Sequence, residues 1–371
     1  MCGICGILGE LDKHVLDRMS EVIKHRGPDD AGCFTDKGIG ICNRRLSIID
    51  LAGRHEPVHN EDSSIWVVFN GEIYNFMELR EILEKAGHRF YTNSDMEVII
   101  HSYEEWNLNC LQKFNGMFAV AIWDSKQKRL LIARDRTGIK PLYYTNVGDT
   151  FIFASEIKAI VQDDRVKIQP DFDAIHQYLN VRYFPSEKTP FLNIKKLLPG
   201  HFIEIKDGKR RTGSYWTLRP VKSEQSEEYY VAQLERILQS ALKRHMISDV
   251  PIGFYLSGGV DSSSVVYFAE KNTKATLKTF CIGFDEDDDE FKDAQLVADE
   301  LGTEHHNLVI RKSLLKDFPK MIWYADTPKR NLYPYYVAEL ARKHVKVVLT
   351  DLGADELFAG YNWKPRTMSP K

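Results

Sequence analysis

Cys2 follows the initiator methionine, and that position gives it unusual chemical scope. Once Met1 is removed, a single residue offers both a thiol nucleophile and a free α-amine. An α-amine titrates near roughly 7.7 to 8 and a thiol near roughly 8.5, so proton transfer between them is almost balanced. The residue then carries its own base and yields a thiolate at neutral pH. Chance alone also puts cysteine second in many chains. The pair Cys2-x-x-Cys5 has a further reading as half of a redox or zinc site, but no second ligand pair follows at suitable spacing.

Four later blocks carry the polar groups that such a nucleophile needs: Arg26-Gly27-Pro28-Asp29, Arg45-Leu46-Ser47-Ile48, Asn70-Gly71-Glu72-Ile73-Tyr74-Asn75 and Ser94-Asp95. Taken singly, Arg45 and Asp95 fit a surface ion pair, and the Asn70–Asn75 block fits a turn leaving a strand. Together with Cys2, in this order, they resemble the class II glutamine amidotransferases. The resemblance implies that Arg45 grips the α-carboxylate of glutamine through its planar fork, while Glu72 and Asp95 receive the α-ammonium. It assigns the oxyanion hole to Asn70 and the backbone of Gly71. The chemistry agrees, because a zwitterion needs a cation and an anion, and a tetrahedral oxyanion needs neutral donors.

A second constellation runs Phe254-Tyr255-Leu256-Ser257-Gly258-Gly259-Val260-Asp261-Ser262-Ser263, a strand pattern opening into a helix. Glycines there let backbone approach phosphate closely, and the amides that begin the helix face the charge. It is no Walker motif, because no Gly-Lys-Ser/Thr follows. A serine-rich helix cap after a buried strand is the plain structural reading. The block resembles the pyrophosphate loop of ATP pyrophosphatases, which implies that Ser257, Gly258, Gly259 and Ser262 cradle pyrophosphate and that Asp261 binds magnesium. Leu256 and Ile282 are expected to flank the adenine. Thr350-Asp351-Leu352-Gly353-Ala354-Asp355-Glu356 offers a second acidic turn, with Thr350 and Asp351 beside the nucleotide and Asp355 as a second magnesium ligand.

The elements that must position these groups change character along the chain. Strand patterns at 39 to 49, 64 to 74, 117 to 124, 129 to 135 and 150 to 155 alternate with turn residues, and helical periodicity appears near 16 to 25 and 76 to 87. The first region is expected to be α+β, with sheet packed on sheet and helices outside. Strand and helix alternate regularly beyond residue 223, which predicts an α/β domain with a mostly parallel sheet. The boundaries expected are 2–165, a connector over 166–222, and 223–371.

The 371 residues suit two domains, and 43% hydrophobic with 28% charged residues suits a folded globule. A net charge of -3, without a basic stripe, argues against nucleic acid or anionic membrane as a general partner. No apolar run approaches the roughly 20 residues of a membrane helix, and the start lacks the layout of a signal peptide, so a cytoplasmic protein with its six cysteines reduced is expected. The acidic run at 285 to 290 reads as a solvated loop.

A cysteine glutaminase followed by this pyrophosphate loop resembles the glutamine-hydrolysing asparagine synthetase family, from residue 2 to about residue 363. That resemblance implies an Ntn-type αββα sandwich, then an ATP pyrophosphatase domain, and a ligase using ATP and magnesium. Glutamine ammonia would travel through an internal channel to aspartate activated as β-aspartyl-AMP. Two departures stand out. Leu352 occupies the place of an expected acid and Asp351 that of a glycine, which opens the alternative of another carboxylate acceptor. The chain also stops at Lys371, where family members continue, so the second domain is expected to be incomplete, and a glutaminase-like paralogue without synthetase activity is a further alternative. A sugar-phosphate or phosphoribosyl amidotransferase is disfavoured, because neither needs the pyrophosphate loop. A homodimer is among the assemblies left open.

Overall fold

The computed structural model describes residues 1–51, 57–284, 289–311, 314–328, 333–358 and 360. Its backbone divides into two units after Val221. In chain order the strands of the first unit are β1 (Gly3–Leu8), β2 (Asp30–Asp36), β3 (Ile39–Arg45), β4 (Val58–His59), β5 (Ile65–Ile73), β6 (Gly116–Asp124), β7 (Arg129–Arg134), β8 (Tyr143–Val147), β9 (Thr150–Ala154), β10 (Lys195–Lys196), β11 (His201–Lys206) and β12 (Lys209–Ser214). They form two antiparallel six-stranded sheets, ordered β10-β8-β9-β1-β3-β2 and β12-β11-β7-β6-β5-β4.

The sheets face each other across one core, in which Ile4, Ile39 and Phe153 of the first meet Val68, Ala121 and Ile132 of the second. Helices cover the outer faces. The helix Lys13–Val22 puts Val15, Leu16 and Met19 beneath the first sheet, together with Ile157 and Ile160 of a short helix. This is the αββα sandwich that the family resemblance implies. Central strands are buried on both faces, so β6 from Phe118 to Asp124 reads as a continuous buried run rather than an alternating one. Segment 166–222, expected as a connector, also contributes β10, β11 and β12 to these sheets. Its helix is Phe172–Val181, capped by Asp171, whose side chain accepts from the Ala174 amide.

One expectation about cysteine chemistry is corrected. Cys33 and Cys42 are joined in a disulfide, with Cα atoms 4.1 Å apart, so the six cysteines are not all reduced. The two face each other directly in the register of β2 and β3, a juxtaposition set by the tight turn between the strands rather than by any spacing visible in sequence. Cys5 lies fully buried in the layer beneath the first sheet, and burial pushes its thiol up to about 12.

The second unit holds a parallel sheet of β13 (Ile252–Tyr255), β14 (Lys278–Gly283), β15 (Glu304–Val309) and β16 (Val347–Leu349), ordered β15-β14-β13-β16. Helices Val260–Glu270 and Asp289–Glu300 lie with Phe254 and Leu256 in one core, and helix Tyr333–Ala341 lies with Phe280 and Ile282 in the other. Successive strands step outward from β13 to β14 to β15, and β16 then returns to the far side of β13. Strand order therefore reverses between β13 and β16, and ligands of open α/β sheets bind in the crevice at the carboxyl ends of strands at such a reversal. The described part of this domain has the α/β form expected. Among the described residues, no helix is long and apolar enough to cross a membrane.

Candidate active site

Cys2 sits at the head of β1, and β1 lies between β3 and β9, so the strand's amino end is held on both sides. The Leu46 amide donates to Cys2 Sγ at 3.4 Å, a contact in which sulfur is the acceptor. Arg26 Nε donates to the Cys2 carbonyl at 2.9 Å, and Arg26 Nη1 reaches Glu156 at 2.7 Å. Glu156 is itself buried and also meets His25 and Lys158. Burial alone would raise its pKa, yet the hydrogen bond from His25 and the charges of Arg26 and Lys158 pull it down to about 2. A fixed anion thus anchors the guanidinium that anchors the nucleophile's backbone.

In the chain with Met1 in place, the buried α-amine belongs to Met1. Burial pushes it down to about 5, with Arg26 and Lys140 helping and Cys2 opposing. Lys140 is buried behind this point, its Nζ 3.2 Å from Met1 Sδ, and burial lowers its own pKa to about 8, opposed by Glu72 and Cys2.

Asn70 and Glu72 lie two residues apart on β5 and so share a face. Asn70 is wholly buried, and among the described residues neither its amide nitrogen nor its amide oxygen has a hydrogen-bond partner. Such a side chain costs stability unless something else fills its bonds. Gly71, between them, could not carry a side chain: a Cβ there would meet the Met117 carbonyl oxygen at 2.1 Å. Asp95 is buried and accepts from the Ile73 amide at 2.8 Å, which ties the Ser94-Asp95 turn to the end of β5. Glu72, half-buried as a whole residue but crowded at its carboxyl end, has its pKa raised by burial and then by the Asp95 charge. Arg45 is buried at the end of β3, its Nη2 donating to the carbonyls of Ile49 and Asp50, and its charge is felt at Asp95. Electrostatic contact therefore links the expected glutamine set from Cys2 through Lys140 to Glu72, Asp95 and Arg45.

In the second unit, the pyrophosphate loop joins β13 to helix Val260–Glu270. Gly258 has φ of +79°, and a Cβ there would meet Asp293 at 2.4 Å, so only glycine suits the turn. Ser257 and Ser262 hydroxyls lie 3.1 Å apart, and the Ser257 amide donates to Ser262 Oγ. The Gly259 amide donates weakly to Ser257 Oγ at 3.4 Å. Ser263 Oγ, which the motif reading left aside, is buried without a partner among the described residues. Beyond β16, Asp351 has its pKa raised by burial and then by Asp261, Asp355 and Glu356. The two acidic turns expected from sequence are thus brought within reach of each other. Thr350 Oγ1 accepts from the Leu352 amide, and the Leu352 side chain is 88% exposed.

Leu256 and Ile282 are not brought together: they are buried in the cores on opposite faces of the sheet. Ala359, Tyr361 and residues 285 to 288 of the acidic run lie outside the described residues. Sequence reading missed Lys140 and Glu156, which stand far from every quoted motif and gain meaning only when β1 and β9 pair. Arg26 was quoted within its motif but given no role.

Residues 1–216 match the family model described as a glutamine amidotransferase domain, and residues 233–371 match that described as asparagine synthase. Bacillus subtilis asparagine synthetase (glutamine-hydrolyzing) 1 is 39% identical over 97% of this chain and 59% of its own length. A Methanocaldococcus jannaschii protein whose name places it with the same enzyme is 37% identical over 97% of this chain and 76% of its own length. The chain spans well under two thirds of the Bacillus protein. Among solved structures, a Bacillus subtilis glutamine phosphoribosylpyrophosphate amidotransferase is similar over 75% of this chain and 65% of its own, with 19% identity and a TM-score of 0.43. A cysteine-led αββα sandwich, a serine-glycine loop on a parallel sheet, the two family models and the Bacillus and Methanocaldococcus relatives place the chain in the glutamine-hydrolysing asparagine synthetase family.

Proposed function

We propose that the chain hydrolyses glutamine at Cys2 and spends ATP in its second unit to adenylate aspartate, which the released ammonia then converts to asparagine. The observation that carries the glutaminase reading is Asn70, buried with both ends of its amide unpaired beside a pair of crowded carboxyls. Its Nδ2 and the Gly71 amide are suited to an oxyanion, while Glu72 and Asp95 are suited to an ammonium. Arg45 would turn its guanidinium from the Ile49 and Asp50 carbonyls to the substrate carboxylate.

Activation of a carboxylate by AMP makes physical sense, because its oxygen is a poor leaving group until adenylated. Ser257, Gly258, Gly259 and Ser262 would hold the pyrophosphate, with the unpaired Ser263 hydroxyl as a further donor. The mutual repulsion of Asp261, Asp351 and Asp355 fits a divalent cation there. Magnesium, held by Asp261 and Asp355, would neutralise the departing pyrophosphate oxygens.

The test is pyrophosphate release by the purified chain with ATP, magnesium and either glutamine or ammonia, comparing aspartate with other carboxylates. Aspartate-dependent release, with glutamate formed from glutamine, is expected. Release with other carboxylates and never with aspartate would overturn the acceptor, and glutamate formation with no release from any acceptor would overturn the synthetase half.

A further inference from the structure

On the outer side of the second sheet, two helices and the loop between them bring together nitrogen and oxygen donors that the glutaminase chemistry does not use. Helix Phe76–Ala86 ends at Gly87, in left-handed conformation at φ 104°, and the next residue is His88. Helix Glu97–Trp106 carries His101 and Glu104, three residues apart and so on one face. His101 Nδ1 lies 2.8 Å from Glu104 Oε2, and His88 Nδ1 lies 3.5 Å from the same oxygen. The two imidazoles have ring centroids 4.9 Å apart. One donor atom from each of His88, His101 and Glu104 falls within 4.8 Å of the others.

The surroundings are those of a built site. His101 is completely buried, and its other nitrogen, Nε2, has no hydrogen-bond partner among the described residues but stands 3.6 Å from Glu97. Glu97 is held in turn by the amides of Tyr91 and Thr92 and the Thr92 hydroxyl. A carboxylate behind the far nitrogen is the arrangement that orients a metal-ligating histidine. Glu104 is also fixed from behind: its Oε1 accepts from Asn60 Nδ2 at 2.8 Å, and Asn60 Oδ1 accepts from the Ser64 and Ile65 amides. Glu105 stands 3.4 Å from His88 Nε2, and Glu61 adds a further negative charge felt at His101. Four glutamates thus surround the two imidazoles.

We propose that His88, His101 and Glu104 bind a divalent cation of the zinc class. Two imidazoles and one carboxylate suit zinc better than magnesium or calcium, which prefer oxygen. The cation would replace the proton that His101 otherwise shares with Glu104. Its place gives it a consequence for the glutamine pocket, since the ligands stand on either side of the Ser94-Asp95 turn and would clamp both ends of that loop.

The test uses the full chain carrying Cys2→Ala, so that the site thiol cannot hold metal, freed of metal by chelator and titrated with cobalt(II), then zinc. One equivalent of cobalt with visible ligand-field bands, displaced by zinc, is expected, together with a rise of a few degrees in the unfolding midpoint on zinc addition. His88→Gln, a half-buried change outside the core, should lose both signals while its metal-free midpoint stays near the parent's. His344→Ala tests a second histidine and carboxylate group among the described residues, Glu304, His306 and His344, and should leave both signals intact. Absence of the bands and of the midpoint shift in the parent would overturn the proposal. Retention of both in His88→Gln, or their loss in His344→Ala, would overturn it equally.

Discussion

The Ile73 amide donates to Asp95 Oδ2 at 2.8 Å, so the turn that carries Asp95 is bolted to the strand that carries Asn70 and Glu72. Glu72 and Asp95 both have raised pKa values, chiefly through burial, and Glu72 is raised further by the Asp95 charge. Asp95 is the less shifted, because the Ile73 amide and Arg45 favour its ionised form. Without glutamine the pair therefore holds on to a proton above the ordinary carboxylate range. An arriving ammonium must expel it. Glutamine affinity should fall as pH is lowered from neutrality, by up to about tenfold per unit, and calorimetry in buffers of different ionisation enthalpy should record proton release on binding. The sign for stability is opposite: raised carboxyl pKa values destabilise the empty fold as pH rises through them, and glutamine should cancel that loss. A glutamine affinity that is flat with pH would contradict this account.

Cys2→Ala should lower glutamine hydrolysis by about a thousandfold or more, the order lost with a nucleophile, while ammonia-dependent synthesis persists. Retention of Met1 should act in the same direction, since the amine is then one residue out of place. Intact mass and glutamate formation measured on the same sample would check both.

Asn70→Ala should reduce kcat for glutamine hydrolysis by about 10²- to 10³-fold with little change in KM, the pattern of a donor that acts on the transition state. The same variant should be no less stable than the parent, because it removes a buried amide without partners. A rise in KM alone would assign Asn70 to ground-state binding instead.

Glu156→Ala should destabilise the first unit by about 3 to 5 kcal/mol, as expected when one member of a buried ion cluster is removed. Since its pKa is depressed to about 2, the stability it supplies should be complete above the ordinary carboxylate range and fade as pH falls from there toward 2. Thermal unfolding against pH, parent beside variant, gives the difference directly.

In the second unit, Asp261→Asn and Asp355→Asn should each weaken magnesium-dependent pyrophosphate release by about tenfold or more, one charge contact of about 1.4 kcal/mol. Glutamate formation in the absence of ATP should be unaffected. Unchanged release in both variants would remove these residues from the cation site.

Sequence alone revealed what depended on local pattern or dense motif. Strands at 65–73, 116–124 and 129–134 were legible from their β-branched and aromatic residues, and Gly87 marked the end of its helix. Strand β1 was not, because its six residues include two glycines and lie buried without alternation. Helix Glu97–Trp106 escaped for a related reason: Glu97 to Tyr103 are all buried, so no polar face announces a helical period. Residues that act through pairing across the fold, such as Glu156 on Arg26 or Cys42 on Cys33, leave no mark in a linear reading.

The position of β1 bears on how the nucleophile comes to be uncovered. Its partner β3 follows within the first 45 residues, but β9 is not complete until residue 154. At about 5 to 20 residues per second of translation, about 5 to 20 seconds would pass before the second neighbour is synthesised. A leading methionine on that half-built sheet would be open to a peptidase until β9 pairs with Cys5 to Leu8.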